Sequence, residues 1–539
     1  MKTNEAIIKE LIKTKVKTLE DLAKAKRWAA KKYKASCPSN IILLKTYHEL
    51  VKNKKVKKSS IIETLLRTRP IRSLSGIVNI SVLTKPYPCP GKCIYCPLES
   101  GIPKSYLSGE PAVERAKKLN YNPYLQVKKR VEMLEATGHP TDKIELRIVG
   151  GTWSYYPKDY QNQFIKKCFD ACNDKNLKLK SQKSKLRIKS KNLKGAQEKN
   201  EKAKHRIIGL SVETRPDFIN PAEIKRLRNF GVTMVELGVQ SIYDDVLRLN
   251  LRGHGVKETI VATKLLKDAG FKILYQMMPN LLGSNLKRDE KMFEELFSNP
   301  DFQPDLLKIY PCALVKEASL YKWWKQGKYK PYTQSQLISL MKSVKKKIPY
   351  YVRIQRISRD IPSPAIVTGG AKVSNLRQIL LGKMKREGWQ CRCIRCREVK
   401  GQYNKKEKIY LFRQDYRASD GEEIFLSFEN PAPETSSRYG ASKNRKLYSL
   451  LRLRITSRRE AIIRELHTYG QLQPINRERV SVISPQHKGL GKKLMKEAEK
   501  VTKREFGLNK IAVISGIGAR NYYRKLGYKL KNTYMVKIL

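Results

Sequence analysis

Across residues 76–385 short apolar runs alternate with amphipathic helical patterns, and that alternation is the strongest constraint on the fold. The runs are IELRIVGG (144–151), RIIGLSVE (206–213), TMVELGVQ (233–240) and KILYQMMP (272–279). Stretches such as PAEIKRLRNFG and VKETIVATKLLKDAG separate them, with apolar residues at helical spacing. Repeated β and α elements imply a parallel sheet, open or closed into a barrel. Ligands of such sheets collect at the carboxyl ends of strands. The strand-end candidates are therefore Gly150, Gly151, Glu213, Gln240 and the turn Arg252-Gly253-His254.

Two tight cysteine clusters hold six of the ten cysteines. Cys89-Pro-Gly-Lys-Cys93-Ile-Tyr-Cys96 stands at the start of the β/α region. Three thiolates on one loop hold three irons of a 4Fe-4S cube and leave the fourth iron open. An open iron can chelate the amino and carboxylate groups of S-adenosylmethionine, whose cleavage then gives a 5′-deoxyadenosyl radical. The plainer alternative is a zinc site short of one ligand. Gly150 and Gly151 would let a backbone approach the bound amino acid moiety closely, or simply form a tight turn. Glu213 and Gln240 could contact ribose or methionine, although polar strand ends are common.

The second cluster, Cys391, Cys393 and Cys396, fits a tetrahedral zinc site lacking one ligand. Cys312 is the leading candidate for the fourth, with His467 and His487 as competitors. Through Cys312, zinc would fasten a linker at 386–400 to the barrel. A second iron–sulfur centre and free thiols are the other readings.

Residues 401–539 carry strand-like runs (EIFLSFE, LLRLRIT, KIAVISG) around a glycine-bearing stretch and a helix, which predicts a small α+β domain. Gln486-His-Lys-Gly489-Leu-Gly491 should open that helix after a strand RVSVIS (479–484). Glycines there free backbone amides to converge on an anion at a helix N-terminus. The spacing fits the Q-x-x-G-x-G pattern of GNAT acetyltransferases. In that setting NYYRKLGY (521–528) places Tyr523 near a thioester sulfur.

Residues 1–75 read as helical and basic, with Trp28, Tyr33 and Tyr47 interleaved among the charges. They form either an ordinary amphipathic module with a solvated face or an RNA-binding one. With 112 Lys+Arg against 49 Asp+Glu the net charge is +63, so a polyanionic partner is expected over a general lysine bias. Residues 173–205 are nearly pure Lys, Ser, Asn and Gln and predict a low-complexity insertion. No run of eighteen apolar residues exists, and the lysine-punctuated N-terminus lacks a signal-peptide core, so the expected location is cytoplasmic, without a membrane partner.

The segments CPGKCIYCP, DKIELRIVGGTW, SVETRPD, ELGVQS, RGHG, CRCIRCREV, RELHTYG, QHKGLG and ISGIGARNYYRKLGYKL together resemble the catalytic subunit of Elongator, in its archaeal single-subunit form. The resemblance implies an α/β chain: a radical S-adenosylmethionine partial (β/α) barrel joined to an α+β GNAT-like domain. It implies that acetyl-CoA supplies a carboxymethyl group to the wobble uridine of tRNA. The deoxyadenosyl radical would take hydrogen from the acetyl methyl. The carbon radical would add to carbon 5 of uracil, and thioester hydrolysis would release 5-carboxymethyluridine. Motif carry-over puts Lys143, Glu465, Leu466, His467, Thr468, Leu490, Gly491, Lys492 and Tyr523 around acetyl-CoA, with Lys143, His467 and Tyr523 in catalytic positions. The partner would be the anticodon stem-loop of tRNA. A homodimer is open to such a chain, and an archaeal form would not call on accessory Elongator subunits. The competing function is a lysine acetyltransferase for basic protein tails, which a basic surface would repel. A tRNA-binding scaffold without catalysis would leave both cofactor motifs idle.

Overall fold

The computed structural model describes residues 2–14, 16–174, 190–430, 445–475 and 484–539. Four N-terminal helices, α1 (Lys2–Lys13), α2 (Leu19–Lys32), α3 (Asn40–Lys52) and α4 (Ser60–Leu66), pack around their own core of Ile7, Leu11, Leu22, Leu43, Leu44, Tyr47 and Leu50. Thr18 starts α2 with a capping box: its hydroxyl accepts from Asp21 N (3.0 Å), and Asp21 accepts from Thr18 N (2.9 Å). Tyr47 is fully buried in this core, whereas Trp28 is half exposed beneath Lys32. The segment after α4 is tied to the next unit. Arg67 donates to Gly138 O (2.7 Å), and His139 bridges Thr68 O (2.9 Å) and Ser73 Oγ (2.8 Å).

The central unit is a seven-stranded, wholly parallel sheet: β1 (Val78–Leu83), β2 (Lys143–Val149), β3 (Arg206–Thr214), β4 (Met234–Gln240), β5 (Lys272–Met277), β6 (Leu306–Ile309) and β7 (Arg353–Arg356), ordered as in the chain. Sequential parallel order is what repeated βα crossovers produce when each new strand joins beside the last. Every residue of β4 is buried, so both faces are covered. This is the curled partial barrel the resemblance implied. α5 (Pro111–Lys117) and α6 (Pro123–Ala136) follow β1 and precede β2. Within the barrel Glu236 accepts from Arg147 (2.7 Å) and Ser211 (3.3 Å) and is paired with Lys308. Burial would raise Glu236, but Arg147 and Lys308 bring it down to about 2.

The expected insertion is only partly one. Residues 175–189 lie outside the described residues, but Leu193–Asn200 is a helix integrated into the barrel. Asn200 is buried and donates to Asn173 Oδ1 (2.9 Å) and His205 O (3.0 Å).

The last unit is a second seven-stranded sheet: β8 (Tyr410–Ala418), β9 (Gly421–Asn430), β10 (Lys446–Ile455), β11 (Ala461–Thr468), β12 (Lys510–Val513), β13 (Lys529–Lys531) and β14 (Tyr534–Ile538), in the order β13-β14-β12-β11-β10-β9-β8. The expected strand RVSVIS falls almost wholly in 476–483, outside the described residues. β11 and β12 are parallel and pair only over Ala461–Ile463, so the second half of β11 is unpaired on that side and a wedge opens. The helix Leu490–Arg504 packs Leu494, Met495, Ala498 and Val501 against this sheet.

The two sheets meet closely. A Cβ on Gly516 would stand 2.1 Å from Ile208 O, so only glycine permits the approach. Buried charges cross the seam: Asp305 at the foot of β6 accepts from Arg464 of β11 (2.6 and 2.9 Å), and Asp268 from Arg454 of β10 (2.6 Å). Among the described residues no helix is long and apolar enough to cross a membrane.

Candidate active sites

The loop after β1 presents Cys89, Cys93 and Cys96 at the carboxyl end of the barrel. It is held there by Ile94, whose N donates to Asn250 O (3.2 Å) and whose O accepts from Leu320 N (2.8 Å). Arg252, from the turn after the helix Asp244–Leu249 that follows β4, donates to Cys93 Sγ (3.6 Å) and to Gly238 O (2.5 Å). Burial would raise the Cys93 thiol, but the Arg252 guanidinium overrides it and holds Cys93 below the usual thiol value. Cys96 is pushed up to about 11 by burial and then by Cys93. The three sulfurs do not lie within 4.8 Å of one another. A single tetrahedral zinc, with Zn–S near 2.3 Å, needs sulfurs about 3.8 Å apart. The wider spread suits a cube of several irons.

The cavity beside these cysteines gathers the strand-end candidates. Gly151, Glu213 and Gln240 line it, together with Arg215 and Lys308. Glu213 accepts from Tyr106 Oη (3.0 Å), Gln276 Nε2 (3.2 Å) and Lys308 Nζ (3.0 Å). Three buried polar atoms around it have no partner among the described residues: Arg215 Nη1, Gln240 Oε1 and Arg252 Nε. Unsatisfied groups at this density are costly unless a polar ligand meets them. Gly150 does not line the cavity. Its φ is +132°, and a Cβ there would sit 2.0 Å from Thr84 Oγ1, so it serves close packing of the turn.

A second cavity, about 510 Å³, runs from the barrel interior to the wedge of the second sheet. Glu465, Leu466, His467 and Tyr523 line its far end. It shares Ser81, Ala112, Arg147, Arg356 and Asp360 with the first cavity. His467 Nε2 donates to Ser75 O (2.7 Å), since a carbonyl can only accept, and its ring stacks near Tyr469. Burial keeps His467 below the ordinary histidine value. Glu465 is held ionised by Lys272 (3.2 Å) and Arg452 (2.9 Å), so it is part of the seam as well as of the wall. Tyr523 is nearly buried beside Tyr522 and Tyr528.

At the helix start Gly489 has φ +85° with open space beside it, whereas Gly491 packs by Leu466, Thr468 and Tyr522, joining this turn to β11. Leu490 and Lys492 are the helix's first and third residues. Lys143, at the foot of β2, reaches this turn: its Nζ is 2.9 Å from His487 Nε2 and 3.1 Å from Gln486 Oε1. Gln486 stands in the turn, but its side chain is engaged within the protein. Its amide donates to Gly76 O (3.0 Å) and Thr468 O (2.9 Å), and its oxygen also accepts from Gln473 N (3.0 Å). Both polar atoms of its side chain are thus engaged in joining the units.

The second trio, Cys391, Cys393 and Cys396, has all three sulfurs within 4.8 Å, as one tetrahedral ion requires. Burial would raise Cys393, but hydrogen bonds from Cys391 and Cys396 draw it well below the usual thiol value. The expected fourth ligand is not there. Cys312 is buried in an apolar cluster behind the first cysteine loop, with Tyr329. His467 and His487 are held by Ser75 and Lys143. The neighbour at the trio is Lys345, 3.6 Å from Cys396 Sγ. The segment is stitched to both sheets: Ile394 N donates to Val352 O and Val399 N to Leu447 O (both 2.9 Å).

Sequence reasoning missed Arg215, Tyr106 and Lys308. Arg215 lay within the quoted SVETRPD, but the other two carried no local signal.

Comparison with known proteins agrees with this layout. The radical SAM superfamily model matches residues 87–296, the Radical_SAM C-terminal domain 304–386, and the acetyltransferase (GNAT) family 482–528. A "tRNA uridine(34) acetyltransferase" of Methanocaldococcus infernus is 45% identical over 511 residues, 91% of each chain. One of Dehalococcoides mccartyi is 43% identical, over 87% of this chain and 99% of its own. "Elongator complex protein 3" of Homo sapiens is 37% identical, over 99% of this chain and 96% of its own. The solved archaeal Methanocaldococcus infernus Elp3, with its N-terminal residues 1–46 deleted, superposes with TM-score 0.72 at 42% identity, over 87% of this chain and 100% of that one.

Proposed function

The chain belongs to the family of the tRNA uridine(34) acetyltransferases and Elongator complex protein 3, and on that premise we propose that it converts the wobble uridine of tRNA to 5-carboxymethyluridine with acetyl-CoA and S-adenosylmethionine. The observation that supports this best is the shared wall of the two cavities. An acyl group at the wedge and a group at the cysteine loop would face one enclosed space. A simple acetyl transfer to lysine has no need of that.

Cys89, Cys93 and Cys96 would hold the cluster, and Arg252, hydrogen-bonded to Cys93 Sγ, favours the thiolate it requires. A 4Fe-4S cluster, when bound there, supplies the electron that cleaves S-adenosylmethionine to a 5′-deoxyadenosyl radical. Gly151, Arg215 and Gln240 would receive the methionine end, and Glu213 the ribose. Gly489 leaves room for phosphates at the helix N-terminus, where Lys143 adds a cation from the barrel. Tyr523 would stand beside the thioester. His467 donates through Nε2, which leaves Nδ1 as a neutral base for the water that hydrolyses the thioester. Cys391, Cys393 and Cys396 would hold zinc in a structural role. A wobble base is reachable because anticodon-loop bases unstack into pockets.

The lysine acetyltransferase reading needs a cationic acceptor in a cavity lined by Arg115, Arg130, Arg353, Arg356 and Arg395, which would repel it. Acetyl-CoA turnover should accelerate with tRNA and not with a lysine-rich peptide. Peptide acetylation exceeding the tRNA-dependent turnover would favour the other reading.

A further inference from the structure

Arg115 and Arg130 line the second cavity, and the charge of Arg72 acts on both. Arg72 ends a short turn (Pro70–Arg72), Arg115 lies on α5 and Arg130 on α6. All three are half-buried. Among the described residues none of them pairs with a carboxylate; each is instead within the field of other arginines, Arg130 feeling Arg72, Arg115 and Arg69. Asp360, the acid that acts on Arg115, is already taken by Arg356. Burial and these like charges bring Arg130 down to about 10. Partly desolvated guanidinium groups that repel one another cost stability unless an anion meets them. Arg115 and Arg130 line the same cavity as Glu465, His467 and Tyr523.

We propose that Arg72, Arg115 and Arg130 form a clamp for the phosphodiester backbone of the RNA, next to the nucleotide that enters the second cavity. The proposal rests on the tRNA reading above and deepens it. A guanidinium fork matches phosphate oxygens bidentately and stays charged through the working pH range. The same chemistry would suit the phosphates of coenzyme A. The helix N-terminus with open space beside it is at Gly489, however, next to Lys143, and neither residue lines the cavity that holds Arg115 and Arg130.

The test uses the full-length protein and Arg72→Gln, Arg115→Gln, Arg130→Gln and the Arg115→Gln/Arg130→Gln double variant. tRNA binding is measured over a salt series, acetyl-CoA binding by calorimetry, and the thermal midpoint alongside. Each lost phosphate contact should flatten the slope of log K against log salt by about 0.7 to 1. Acetyl-CoA affinity should not change, and the midpoint should hold or rise as repulsion is relieved. A structural role would lower it. Arg115→Lys/Arg130→Lys should restore most of the slope. Wild-type affinity and slope in the Gln variants would overturn the clamp while leaving tRNA as the substrate. Loss confined to acetyl-CoA binding would assign the arginines to coenzyme phosphates and overturn it as well. Absence of tRNA binding by the wild type would overturn the functional reading and the clamp together.

Discussion

Replacing Asp305 by Ala should unfasten the seam between the two sheets. Its carboxylate is fully buried and accepts from Arg464 (2.6 and 2.9 Å) and from Ile273 N (2.9 Å), with Arg452 at 3.5 Å. The surrounding network sets Lys267, Lys272, Arg452, Arg454 and Arg464 against Asp268, Asp305, Glu423 and Glu465. Five cations then face four acids; without Asp305 they face three. Arg464 would keep only Glu423, at 3.5 Å. Breaking a buried pair by removing one partner costs about 3–5 kcal/mol. The orphaned Ile273 amide adds about 1–3 kcal/mol. Adding Arg464→Met removes the stranded charge, so the double variant should cost less than the sum of the singles, by about 0.5–3 kcal/mol. All five tryptophans (Trp28, Trp153, Trp323, Trp324, Trp389) lie outside the second sheet. Urea unfolding followed by their fluorescence therefore reports the barrel side, and hydrogen exchange of β11 and β12 amides reports the other. A loss under about 1 kcal/mol for Asp305→Ala, or strict additivity of the pair, would refute this reasoning.

Cys393→Ser or Cys396→Ser should release one equivalent of zinc and lower the thermal midpoint, since a structural site contributes folding free energy directly; intact protein without zinc by metal analysis would remove that reading. His139 is held near a pKa of about 4 by burial, below its unfolded value near 6.5. The unfolded chain thus takes up its proton first, and stability should fall between pH 6.5 and 4. Glu236, at about 2, loses its contribution only below about 4.5. A His139→Gln variant with the same decline across that upper window would show that other groups cause it. Deleting residues 1–52 should weaken tRNA binding and flatten its salt slope while sparing S-adenosylmethionine cleavage; equal curves for both proteins would show that α1–α3 do not touch RNA. The cut must stop there, because Thr68, Ser73, Ser75 and Gly76 are bonded to the barrel and the second sheet.

The features legible in the sequence are those whose parts are neighbours along the chain. The β/α period predicted a parallel sheet, open or closed, and three cysteines in eight residues marked the first candidate site. The second trio was equally plain, yet Cys312 was misplaced, because nothing local distinguishes a thiol packed behind one loop from a ligand at another. Gln486 followed a family pattern whose backbone role held no information about its side chain, here spent on Gly76, Thr468, Gln473 and Lys143. Leu43, Leu44, Tyr47 and Leu50 lie on one helical face, a spacing that marks Tyr47 as core from the sequence alone. Asp305 with Arg464, and the three unpaired arginines, join residues from distant segments and could not be read before the chain was folded.

The most direct measurement is a nucleoside analysis of tRNA after anaerobic reaction with iron-reconstituted protein, S-adenosylmethionine, a reductant and acetyl-CoA labelled in its methyl group. The label should appear in a modified uridine at the wobble position, as 5-carboxymethyluridine, and should vanish from the RNA in the Cys93→Ala variant. Label found only on protein lysines or in free acetate, with the wobble uridine unchanged, would contradict it.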